Sequence, residues 1–182
     1  AGTVNPTSKQ IRIGPGSQFA TIDVYQSDTV VWKNDDRVAH WPVPNCTGLR
    51  MNPQAVSNAA QFFPPPLPGP LPISYGCAIE GHESEQGTIN VYVDFAAASP
   101  LALSSSSPTA AIATGGKSPY AVVQDPNFPY LNVSETTPAG SSAGLTITLS
   151  STPAGTGPIN YQLKATDGLG TPIDQTIQIT IG

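Results

Sequence analysis

The stretch "ISYGCAIEGHESEQGTINVYV" (residues 73–93) places Cys77, His82 and Gln86 within ten positions of one another, in a chain that has two cysteines and two histidines in all. On either side the residues read as β-strand, with apolar and polar positions alternating in "TINVYV". The chemistry-bearing side chains therefore fall in a tight loop between two strands. Only "AIEG" separates Cys77 from His82, so one turn brings a sulfur and an imidazole nitrogen toward a common point. Joined by a second imidazole, these make the trigonal His₂Cys set that copper occupies in electron-transfer sites. His40 is the other histidine, at the end of "DTVVWKNDDRVAHWPV", and an adjacent strand can bring it alongside.

Composition points the same way as the local pattern. Twenty prolines and seventeen glycines in 182 residues, with few charges, argue against a helical bundle. Turn residues recur between short β-branched runs, which predicts an all-β chain. A net charge of −5 without a basic run excludes the electrostatic footprint of a nucleic-acid binder. No apolar stretch reaches the length needed to span a bilayer. The chain opens on Ala1 and lacks a basic segment followed by an apolar one, so an export signal is expected to have been removed or not included, with the mature protein periplasmic or secreted. Asn45-Cys46-Thr47 and Asn132-Val133-Ser134 match the N-glycosylation pattern, which has meaning only in a eukaryotic source.

The two halves differ in chemistry. Both cysteines, both histidines, both tryptophans and the one methionine precede residue 96. Three segments are expected: a metal-binding domain over 1–95, a linker or crossover over 96–108 ("AAASPLALSSSSP"), and a small β-sandwich over 109–182. Strands are predicted near 9–13, 19–25, 28–34, 38–43, 72–78 and 87–95. "MNPQAVSNAAQFF" predicts the start of a short helix, with Asn52 as N-cap and Pro53 at N1. "PPPLPGPLP" over 64–72 reads as a stiff surface loop, because proline lacks the ladder donor and fixes φ. In the second half "GLTITLSS" and "DQTIQITIG" alternate as one-sided antiparallel strands do. No catalytic constellation appears there. Asp167 and Asp174 are too few to specify a calcium site.

Two blocks, "FATIDVYQSDTVVWKNDDRVAHWPV" and "YGCAIEGHESEQGTINVYV", resemble the cupredoxins, the blue copper family, in the strand–turn–strand and first-histidine segment and in the ligand loop with its final strand. The resemblance covers most of residues 9–95 and implies a cupredoxin-like Greek-key β-sandwich. It also implies one type 1 copper held by His40, Cys77 and His82, with Gln86 as axial ligand where many members carry methionine. An amide oxygen is a harder donor than a thioether and favours oxidised copper, which implies a low potential. Trp41, following the first histidine, departs from the small polar residue of many members and alters the surroundings of the ligands. Glu80, Glu83 and Glu85 predict an acidic ligand face suited to a basic redox partner. The second half loosely resembles the immunoglobulin-like modules of bacterial surface and secreted proteins, and implies a spacer or partner-binding role.

The function expected is that of an electron carrier rather than an enzyme, since both histidines belong to one site and none remains for a second copper. Two other readings stand beside it: a copper carrier or sensor using the same ligands without a redox partner, and a metal-free structural or adhesive protein. The last goes with a Cys46–Cys77 disulfide, which would remove the thiolate. Glu85 is an alternative to Gln86 at the axial position, whereas Met51 lies in the connecting segment. Trp32 and Trp41 read as core or rim aromatics. Leu67 and Leu71 in the proline-rich segment are candidates for a docking patch.

Overall fold

Period-two alternation becomes visible as burial once the strands are placed. The computed structural model describes residues 7–14, 19–45, 60–63, 65–69, 71–136, 143–153 and 157–182, and those residues form strands, turns and loops without a helix. The described residues are all-β, as composition predicts. The described residues up to Tyr92 form one compact unit and those from Val93 onward form a second.

The first unit holds β1 (Ser8–Ile13), β2 (Ile22–Tyr25), β3 (Thr29–Asn34), β4 (Pro42–Pro44), β5 (Ala60–Phe63), β6 (Leu71–Cys77) and β7 (Gln86–Tyr92). They make two sheets, ordered β1-β3-β5 and β2-β7-β6-β4. Two of the pairings, β1 with β3 and β2 with β7, are parallel; the others are antiparallel. Ile11, Ile13, Val30 and Trp32 from one sheet meet Val24, Ile73, Tyr75, Ile89 and Val91 from the other in a single buried cluster. This is a two-sheet β-sandwich. Each large side chain withdrawn from water there contributes about 1.5–3 kcal/mol. Asp28, fully buried, fixes the turn between β2 and β3: its carboxylate accepts the amides of Tyr25 at 2.9 Å and Thr7 at 3.0 Å.

Tyr75 lies directly opposite Gly87 across the β6–β7 pair, packed edge-on to Trp32 and tilted against Phe19. Its hydroxyl donates to the carbonyl of Ala20. The absence of a Cβ at Gly87 gives the ring its space, since one there would stand 2.5 Å from Tyr75 Cζ. Burial raises the Tyr75 phenol to about 12.

Several local expectations are corrected. The segment 38–43 is a strand only from Pro42, because the side chains of Asn34 and Asp36 capture the Asp36 and Arg37 amides and the Val38 carbonyl of the preceding bend. Of the helix expected in "MNPQAVSNAAQFF", the end is strand β5, paired with β3; Asn52 and Pro53 lie outside the described residues. In the proline-rich segment, residues 65–69 are irregular, yet Pro72 sits within β6. Among the described residues the β4–β6 pairing spans Tyr75 to Cys77 and stops short of Pro72, whose missing amide hydrogen is tolerated outside that ladder. Leu67 is 2% exposed and belongs to the core cluster rather than to a surface patch.

The second unit holds β8 (Ala96–Ala97), β9 (Leu101–Leu103), β10 (Thr109–Thr114), β11 (Ala121–Val123), β12 (Leu131–Glu135), β13 (Gly144–Leu149), β14 (Gly157–Thr166) and β15 (Pro172–Ile181). Two sheets, β12-β13-β10-β8 and β11-β14-β15-β9, form it. Ile173, Ile177, Ile179 and Ile181 of β15 are buried while their neighbours face outward. The segment 96–108 supplies β8 and β9 to these sheets, and its serines close a turn in which Ser104 and Ser107 exchange main-chain hydrogen bonds. Asp167 accepts the amides of Lys117, Leu169 and Thr171, which makes it a turn organiser; Asp174 accepts from the Gln162 side chain.

Candidate metal centre

Three main-chain features bring the site residues together. Pro42 pairs with Cys77 across β4 and β6, so His40, two residues before, arrives beside the end of β6. The amide of Ala78 donates to the carbonyl of Trp41 at 2.9 Å, tying the first-histidine segment to the cysteine loop. The loop itself is closed by the Cys77 amide to the Glu85 carbonyl at 3.0 Å, and by two short turns in which His82 and Glu85 donate to Ile79 and His82. Gly81 has φ of +87°, a left-handed conformation that glycine adopts without the Cβ penalty.

Within this frame His40, Cys77, His82 and Glu85 each offer one ligand atom, and the four atoms lie within 4.8 Å of one another. Cys77 Sγ is 3.6 Å from His82 Nδ1. One oxygen of Glu85, Oε2, stands 3.0 Å from His40 Nδ1 and 3.2 Å from His82 Nδ1. The imidazole centroids are 5.3 Å apart. His40 is 1% exposed, whereas the His82 side chain is 26% exposed. The site is thus closed on the His40 side and open on the His82 side.

Cys77 carries a free thiol; Cys46 lies outside the described residues. The Trp41 amide donates to Cys77 Sγ at 3.4 Å. Burial pushes the thiol up from its ordinary value, against the amides of Trp41 and Ile79, and the Glu85 carboxylate acts in the same direction as burial. The hydrogen bond with His40 holds the Asp36 carboxyl below the usual range, more than burial raises it. Trp41, whose side chain is half-buried, acts on the site through its main chain: its amide reaches the sulfur and its carbonyl reaches the cysteine loop.

Of the sequence-predicted site residues, the structure brings His40, Cys77 and His82 close to one another. Gln86 stands apart: its side chain is exposed and its Nε2 donates to the Glu83 carbonyl at 3.1 Å. The carboxylate beside the two imidazoles is that of Glu85. Its inward turn also leaves Glu80 and Glu83 as the exposed acids of the loop. Asp36, 3.1 Å from His40 Nε2, is a site neighbour that sequence reasoning missed. Its signal was the four-residue spacing from His40 within "DDRVAH", which periodicity does not single out.

Two imidazole nitrogens, a thiol sulfur and a carboxylate oxygen form a mixed donor set that fits a thiolate-binding transition metal, copper among them. Harder ions such as calcium and magnesium prefer all-oxygen sites. No helix among the described residues is long and apolar enough to cross a membrane.

No protein-family model matches the chain. No curated protein matches it either. Among solved structures it is similar to a Cu-containing nitrite reductase from Thermus scotoductus SA-01, with 10% identity and a TM-score of 0.35 over 98% of this chain. The match spans 62% of that protein's chain.

Proposed function

We propose that the chain is a mononuclear copper protein that carries single electrons between redox partners outside the cytoplasm, with His40, Cys77 and His82 as ligands and Glu85 in the fourth place. The observation that carries this reading is the convergence of four donor atoms within 4.8 Å on a sandwich whose hydrogen bonds hold both ligand segments. Copper bound there supplies one-electron chemistry by alternating between Cu(I) and Cu(II). Cys77 gives up its proton on metal uptake, and the amides of Trp41 and Ile79 then stabilise the thiolate. Their fixed positions restrict how far the sulfur moves when charge changes. His82, a quarter exposed, is the route by which an electron leaves the closed site. The exposed Glu80 and Glu83 beside it, in a chain of net charge −5, favour a basic partner whose association weakens as salt rises. Both histidines serve this centre, so the reading is of a carrier rather than an enzyme with a further copper. The second unit then serves as a spacer or a docking module.

The test is a titration of the reduced-thiol protein with Cu(II), followed by visible absorption and paramagnetic resonance. An intense thiolate-to-copper band that saturates at a single equivalent and disappears in Cys77→Ser is the expected result. Failure to develop that band defeats the electron-carrier reading. Rapid loss of bound copper to a competing chelator would point instead to a copper carrier.

A further inference from the structure

The bend that delivers His40 is built around its neighbours. Asn34, at the end of β3 and 4% exposed, accepts the Asp36 amide at 2.9 Å and donates through Nδ2 to the Val38 carbonyl at 2.8 Å. The Arg37 amide donates to Asp36 Oδ1 at 2.7 Å. These bonds leave Asp36 Oδ2 facing His40 Nε2 at 3.1 Å, in a pocket where Asp36 is 8% and His40 1% exposed. The adjacent acid has a different fate: Asp35 faces Arg12 at 2.6 Å and Lys33 at 3.8 Å on the surface. One carboxylate of the "DD" pair is thus spent on a surface ion pair, and the other on the far nitrogen of a ligand imidazole.

An imidazole offers a metal only a nitrogen without a proton, and the partner on its other nitrogen determines which one that is. A carboxylate in that place also raises the basicity of the ligating nitrogen. We infer that Asp36 is a positioning residue for the metal centre: it keeps the His40 proton on Nε2, so that Nδ1 faces Cys77, His82 and Glu85, and it strengthens Nδ1 as a donor. The buried Asn34–Asp36–His40 chain holds the ring in this orientation, while Glu85 Oε2, 3.0 Å from Nδ1, competes for the same proton until a metal takes that nitrogen. The inference rests on the copper reading given above.

The experiment compares the full chain with Asp36→Asn, Asp36→Ala and Asp35→Asn, measuring Cu(II) affinity by chelator competition, reduction potential, and the melting of the metal-free protein. Loss of a hydrogen-bonding partner behind a metal ligand typically lowers metal affinity about 10–100-fold. Asp36→Ala should fall in that range, and Asp36→Asn, which keeps an acceptor but not the charge, should lose less. Because a weaker nitrogen donor disfavours Cu(II) more than Cu(I), the potential should rise, by about 59 mV for each tenfold loss of preference. Asp35→Asn removes the same formal charge one residue away and should leave both readings unchanged. If Asp36→Asn matches the parent or Asp35→Asn in affinity and potential, the inference is wrong. Loss of the cooperative melt in both Asp36 variants would overturn it in favour of a purely architectural role. A parent protein that takes up no Cu(II) defeats the copper reading itself, a result separable from a binding parent with unshifted variants.

Discussion

Replacing Gly87 with alanine puts a methyl group where the Tyr75 ring now lies. The new carbon would stand 2.5 Å from both Cζ and the hydroxyl oxygen of Tyr75, and 2.6 Å from the Ala20 carbonyl oxygen. All three separations are far inside van der Waals contact, and two escape routes are shut. The ring is held by Trp32, with centroids 5.4 Å apart, and by Phe19 at 5.5 Å, while the carbonyl belongs to the main chain. Overpacking of this kind destabilises by about 1–3 kcal/mol. Displacing the hydroxyl from Ala20 removes a hydrogen bond worth about 1 kcal/mol more. A loss of about 2–4 kcal/mol follows, and for a unit of this size each kcal/mol lowers Tm by roughly 4–8 °C. Both tryptophans lie in the first unit, so tryptophan fluorescence follows that unit while calorimetry follows both. The expected result is a fall of about 10 °C or more in the fluorescence-detected melt. A melt within about 2 °C of the parent would show that the β6–β7 pair has slack at Gly87, and the account of Tyr75 as a fixed wedge would be wrong.

Two further predictions concern Glu85 and, in the second unit, Asp125. Glu85→Gln removes the carboxylate from the imidazole pair and should weaken Cu(II) by at least ~10-fold, raising the potential by about 59 mV per tenfold. Gln86→Ala, which trims an exposed side chain, should leave both unchanged, and the opposite ordering would return the fourth position to Gln86. In the second unit Asp125 accepts the Gln162 amide at 2.9 Å, the main reason its carboxyl lies below the ordinary range. A depressed folded-state value means that this stabilisation is present above the unfolded value of about 3.9 and is lost as pH falls through the lower folded one. Asp125→Asn should therefore cost about 1.5–3 kcal/mol at neutral pH and flatten the acid decline. Amide exchange at Gln162, measured against pH, reports it; an unchanged acid profile would remove Asp125 from the account.

The clustering of Cys77, His82 and His40 was legible because its chemistry is concentrated. A thiol and an imidazole separated by "AIEG" and followed by a strand leave few arrangements, and His40 was the remaining histidine. The fourth position was harder to read because Glu85 and Gln86 are adjacent. Side chains alternate between faces in a strand, so a shift of one residue exchanges the inward and outward members. Here the Cys77–Glu85 main-chain bond and the pairing of Gly76 with Gln86 set that register, and neither can be read from residue types. The stretch 38–41, expected as strand, was misread for a related reason. Its alternation resembles a strand, but Asn34 and Asp36 offer the backbone local partners that compete with a ladder. Leu67 illustrates a third limit. Prolines mark its segment as a surface loop, yet a loop can still send one apolar side chain inward.

Cys77, His82 and Glu85 are supplied by one short loop, while His40 comes from a distant part of the chain. A chain that has yet to close its sandwich therefore already holds three donors near one another, since short loops are the least demanding to close. On the proposed copper reading, the metal is then captured before the fold is complete, with the docking of β4 against β6 adding the last nitrogen. Affinity for the unfolded chain subtracts from the stabilisation that a bound metal gives the native one. Copper should consequently raise the melting temperature less than its native-state affinity alone implies, and its larger effect should fall on the order in which the chain assembles.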